Sequence, residues 1–89
     1  MIRQPVTLAN RRGLHARAAS KLVQCASGFQ SEVWLQRNGR RVNAKSIMGV
    51  LLLAAPCGSE IELEVDGPDE QVTMEALTVL IEGRFGEDE

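Results

Sequence analysis

At 89 residues the chain can hold one domain with one modest core, which argues against an enzyme with a deep interdomain cleft. Its 44% hydrophobic and 25% charged residues lie near globular averages, so neither disorder nor a coiled coil is favoured, and no apolar run approaches the ~20 residues of a membrane span. The net charge of −2 conceals a segregation: residues 1–45 carry nine Lys or Arg against one acid, whereas residues 46–89 carry one Arg against eleven acids.

A basic half of this kind suits docking to an acidic protein, because opposed fields accelerate encounter. Nucleic acid is a poorer match, since one Trp, two Phe and no Tyr leave little stacking surface. Met1 to Ala9 lacks the basic-then-apolar layout of a signal peptide, which predicts a cytoplasmic protein. Cys25 and Cys57 show no CxxC spacing and have a single histidine to join them, so neither a metal site nor a disulfide is expected. They read as small buried or half-buried hydrophobes.

The first predicted element is a strand over residues 2–8, with Ile2, Val6 and Leu8 on one face and the missing N–H of Pro5 pointing away from a ladder partner. Residues 16–27 follow as a helix whose Ala19, Leu22, Val23 and Ala26 recur at helical spacing, with Arg17, Ser20, Lys21 and Gln24 on the other side and Gly28 as the stop. Residues 31–37 alternate, Val33 and Leu35 inward and Glu32, Trp34 and Gln36 outward. Asn38-Gly39 then reads as a type I′ hairpin turn into a strand over 40–44. Ser46 is the expected N-cap of a short helix from Ile47 to about Ala54, closed by Pro56 and Gly58. Residues 60–66 set Ile61, Leu63 and Val65 against Glu60, Glu62, Glu64 and Asp66, one face buried and the other wet. After Gly67-Pro68, Asp69 and Glu70 load the start of a last helix with Met74, Leu77, Leu80 and Ile81 as its inner stripe.

The order βαββαβα predicts a single α+β domain over residues 1–89, with three helices on one face of a four-stranded, mainly antiparallel sheet. Strand order is not fixed by the pattern.

The chemistry concentrates between the first strand and the first helix, in Asn10-Arg11-Arg12-Gly13-Leu14-His15-Ala16-Arg17. Gly13 permits a tight turn, and His15, the only histidine, falls at the opening turn of the helix. Backbone N–H groups there, that of Ala16 among them, join the positive end of the macrodipole to favour a phosphate. Arg17 can fork onto phosphoryl oxygens, and Arg12 is a weaker candidate for that task. Taken alone, a histidine beside an arginine fits a surface helix cap more readily than a phosphoryl acceptor.

Gly13-Leu14-His15-Ala16-Arg17-Ala18-Ala19 resembles the active-site motif of the HPr family, the histidine-containing phosphocarriers of the bacterial phosphoenolpyruvate-dependent phosphotransferase system. Ala44-Lys45-Ser46-Ile47-Met48-Gly49-Val50 is similar to that family's regulatory serine segment, and element order and length agree over nearly all of the chain. The resemblance implies an open-faced β-sandwich. It also implies that His15 takes phosphate on Nδ1 from phosphorylated enzyme I and gives it to an enzyme IIA domain, with Arg17 assisting and with no cofactor, no metal and no phosphoenolpyruvate site. Ser46 would be the target of an HPr kinase/phosphorylase, its new charge opposing an acidic partner. Ala18 departs from the proline common in the family and leaves the first helical turn less preset.

The helix after Ser46 is apolar nearly all round, and one side of a sheet can bury only one stripe of it. Val50 and Leu53 are the expected core residues. Ile47, Met48 and Leu51 then form an apolar patch which, with Arg12, Ser20 and Lys21, makes a docking surface for partners of a monomeric carrier. Two alternatives remain: a nitrogen-branch regulatory phosphocarrier of the same family, against which the Lys45-Ser46-Ile47-Met48 segment leans, and a non-carrier regulatory binding module whose phosphorylation only switches partners.

Overall fold

In the computed structural model, which describes residues 1–86, the chain runs β1 (Ile2–Thr7), α1 (Ala16–Ser27), β2 (Glu32–Arg37), β3 (Arg40–Asn43), α2 (Ile47–Leu52), β4 (Glu60–Asp66), α3 (Glu70–Glu82) and a 3-10 turn, Arg84–Gly86. The strands form one sheet in the order β1-β4-β2-β3, every pairing antiparallel. The last strand in sequence therefore enters the middle. Its inward residues Ile61, Leu63 and Val65 are each no more than 1% exposed, which is the demand of a central position. The edges go to β1, which holds Pro5, and to the four-residue β3 with its Arg40 and Arg41, both devices that blunt an edge.

Register carries the alternation across the sheet. Gln4, Leu63, Leu35 and Val42 lie in one row facing the helices, and Arg3, Glu64, Trp34 and Asn43 lie in the neighbouring row on the open face. Asn38 and Gly39, at φ 52 and 79, make the hairpin turn between β2 and β3. Against the inner face, α1 buries Ala18, Ala19, Leu22 and Ala26, and α3 buries Thr73, Met74, Leu77 and Ile81. Val23 and Leu80, expected in the inner stripes, are only partly buried and flank the core.

Two expectations are corrected. Glu64 does not face water but is 4% exposed, because Arg41 reaches across from β3 to within 3.0 Å of its carboxylate while Arg3 approaches from β1 at 3.8 Å. The Arg41 guanidinium also lies 4.1 Å from the centre of the Trp34 ring, so Arg41 is held between that ring and the carboxylate on the open face. Cys57 is exposed rather than buried, since it sits in the loop before β4; Cys25 is half-buried, and burial pushes its thiol pKa up.

The start of α3 is used differently from a plain dipole contact. Asp69 is the N-cap residue but gives no side-chain cap to its own helix. Its carboxylate instead accepts the Ser31 hydroxyl and the backbone N–H groups of Gln30 and Ser31, both at 2.9 Å, which locks α3 onto the entry to β2. Beyond α3, Arg84 and Phe85 both take positive φ, turning the chain so that the Phe85 side chain, 1% exposed, plugs the core.

The Ser31 hydroxyl first, then the Gln30 and Ser31 amides and the Thr73 hydroxyl, pull the Asp69 carboxyl from its ordinary 3.8 down to about 2. The unfolded chain thus binds this proton more tightly than the folded one. The stabilisation is complete above about pH 4 and is lost as pH falls from about 4 towards 2. Thermal melts of Asp69→Asn are expected to show a lower Tm than the parent at pH 7 and a clearly smaller gap at pH 2, where about half of the carboxyl is protonated; an equal gap at both pH values contradicts the lock.

Candidate functional site

His15 is the N-cap residue of α1, with extended backbone at φ −79 and ψ 178. Its carbonyl accepts the first helical bond from Ala19 N at 2.8 Å, so the amides of Ala16, Arg17 and Ala18 precede any intrahelical acceptor. The half-buried imidazole makes no capping bond to those amides. A short polar side chain at this position would have folded back on them.

The loop that delivers His15 is closed from inside. Asn10, fully buried, donates from Nδ2 to the Gly13 carbonyl at 2.7 Å, and the Gly13 amide returns to the Asn10 carbonyl at 3.1 Å. The Leu14 amide bonds the Ala55 carbonyl at 2.9 Å while its side chain enters the core. Gly13 has φ +65, and a Cβ there would lie 2.3 Å from the Ala55 carbonyl oxygen and 2.8 Å from the Pro56 backbone. Only glycine fits. The partner loop is itself bent: α2 ends at Leu52, short of the expected Ala54, and Ala54 turns the chain at φ 48, a conformation strained for any residue with a Cβ.

Around His15 the expected residues fall into place unevenly. Arg12 and Arg17 are exposed, and Ser20 is half-buried on α1. Arg17 and Lys21 share one face of that helix, one turn apart. Lys21 is tethered, however, its Nζ donating at 2.6 Å to the Phe85 carbonyl, so its charge is partly committed to the last turn of the described chain.

On α2, Ser46 is the N-cap, its hydroxyl accepting from Gly49 N at 3.2 Å. Val50 and Leu53 are core residues, while Ile47, Met48 and Leu51 stand exposed. Leu52 is 58% exposed and extends the apolar patch beyond the three residues expected of it. Sequence reasoning also missed Asn10, Leu14, Ala55 and Phe85. Asn10 lay three residues before Gly13 as a readable turn signal, but the others depend on contacts distant in sequence.

Residues 2–83 match the model of the family described as PTS HPr component phosphorylation site. The phosphocarrier protein HPr of Cupriavidus necator is 57% identical over 89 residues, covering all of both chains. Among solved structures, HPr-C-His from Thermoanaerobacter tengcongensis superposes with a TM-score of 0.96 at 42% identity and full coverage of both chains. An HPr dimer from the same organism gives 0.79 at 44% identity, covering 92% of this chain and 94% of its own. The chain belongs to the HPr family, the small phosphocarriers of the phosphotransferase system.

The loop contact yields two opposite outcomes. Ala54→Gly relieves the left-handed strain and is expected to stabilise the protein by about 0.5–1 kcal/mol in urea unfolding. Gly13→Ala meets the Ala55 carbonyl and is expected to destabilise it by more than about 1 kcal/mol in the same measurement.

Proposed function

We propose that His15 accepts a phosphoryl group from phosphorylated enzyme I and passes it to an enzyme IIA domain, the chain working as a single-copy cytoplasmic carrier. The observation that carries this reading is the position of the only histidine: it caps α1 inside the stretch matched to the phosphorylation-site family. A ring nitrogen, Nδ1 by the family resemblance, forms a bond to phosphorus as the donor's bond to phosphorus breaks. The ring proton stays on the other nitrogen. The first-turn amides and the helix dipole favour the dianionic product, and Arg17 is placed two residues on to share it. Such an adduct is held at a half-buried position rather than in a pocket, which suits a group that must be handed on.

Recognition is then delegated to the surface of α1 and α2: Arg12, Arg17, Ser20 and Lys21 with the exposed Ile47, Met48 and Leu51. Depletion of charge at the centre and cations at the rim is a common layout for protein docking. Ser46 stands at the beginning of that apolar strip, and a kinase that phosphorylates it would set about two negative charges against an acidic partner.

Incubation with enzyme I and phosphoenolpyruvate is expected to give an acid-labile, base-stable phosphoryl adduct on the chain and none on His15→Ala; an adduct on both would remove His15 from the role. Ser46→Asp keeps a good helix cap while adding charge. It is expected to slow phosphorylation by enzyme I about tenfold at subsaturating donor, with Ser46→Ala near the parent rate after correction for a stability loss of about 1 kcal/mol.

A further inference from the structure

A cleft of about 280 Å³ lies at the end of α2, lined by Arg37, Asn38, Arg40, Leu52 and Leu53. Arg37 and Arg40 are direct cross-strand partners, so both side chains leave the same face of the β2–β3 hairpin. Their register neighbours two residues inward, Leu35 and Val42, face the helices, which puts both guanidiniums on the helix side. Like charges directly opposite each other cost a sheet stability.

The fold relieves this only in part. Arg40 donates to the Leu52 carbonyl at 3.0 Å and Arg37 to the Leu53 carbonyl at 3.4 Å, so the pair caps the negative end of α2. Among the described residues neither guanidinium meets a carboxylate, and most of the N–H donors of each stay uncommitted. The cleft borders the exposed side chain of Leu52, which continues the apolar strip of Met48 and Leu51.

We propose that the Arg37–Arg40 cleft is a docking point for an acidic protein segment, one Asp or Glu carboxylate lying between the two guanidiniums and an adjoining apolar side chain resting on Leu52. The occupant follows from the lining. A carboxylate matches the guanidinium fork. The helix carbonyls beside the arginines weigh against a doubly charged small anion, and an apolar wall offers such an anion nothing. A protein segment uses both. The inference rests on the reading that the α2 face meets partner proteins, and it lengthens that face to the tip of the β2–β3 hairpin.

Calorimetric titration with unphosphorylated enzyme I reads docking apart from phosphoryl transfer. Arg37→Gln/Arg40→Gln is expected to raise Kd about tenfold, and Arg40→Gln alone about threefold, while the adduct still forms at saturating enzyme I. Leu52→Gln is expected to raise Kd about threefold. Should the double variant melt early, Arg40→Gln decides, because its side chain is exposed and Arg37 keeps its carbonyl. A Kd unchanged in Arg40→Gln and Leu52→Gln overturns the docking point even if the parent is phosphorylated normally. Failure of the parent to form an adduct would sink the carrier reading instead. Saturable binding of inorganic phosphate that disappears in Arg40→Gln, with Kd for enzyme I unmoved, would assign the cleft to a small anion and overturn the proposal.

Discussion

The 2.9 Å bond from the Leu14 amide to the Ala55 carbonyl ties the loop before α1 to the loop after α2. Backbone meets backbone there because Gly13 has no Cβ, and Ala54 accepts a left-handed turn to present the carbonyl. The contact sets where α1 starts, hence which residue becomes its N-cap and which amides precede the first intrahelical acceptor. It also holds the end of α2 against the start of α1. His15 is thus placed at the start of α1 by main-chain geometry rather than by a side-chain cap of its own.

The linear separation of charge is partly cancelled by folding and partly preserved. On the open face, Glu64 of the acidic half meets Arg3 and Arg41 of the basic half. At the N-terminus, the ammonium of Met1 lies 2.8 Å from Glu70, which raises its pKa first through that bond. Arg12 and Arg17 stay exposed near His15, and Arg37 and Arg40 serve carbonyls at the end of α2. Among the described residues Arg37 and Arg40 meet no carboxylate, so part of the basic excess survives folding on the helix side.

Elements whose cause is local were legible in the chain. Period two announced β4, helical spacing announced α1, the Asn38-Gly39 pair announced the hairpin, and Ser46 announced its cap. His15 and its helix end were legible for the same reason. What escaped has non-local causes. The insertion of β4 between β1 and β2 depends on which strand most needs two neighbours. The burial of Glu64 depends on a side chain from β3, two strands away, and the Phe85 plug depends on consecutive positive-φ residues that no propensity signals. Leu52 was passed over because an apolar run hides which face is wet. Helical spacing did separate the buried Val50 and Leu53 from the exposed Ile47, Met48 and Leu51, and only Leu52 needed the geometry.

Trp34, the chain's single tryptophan, stands under Arg41 on the open face of the sheet, turned away from the helices. Intrinsic indole emission consequently watches the wrong side of the molecule for contact at His15. It reports the integrity of the β2–β3 pairing and the ionic roof over Glu64. A titration followed by that signal would see the sheet come apart long before it registered a visitor at the helices.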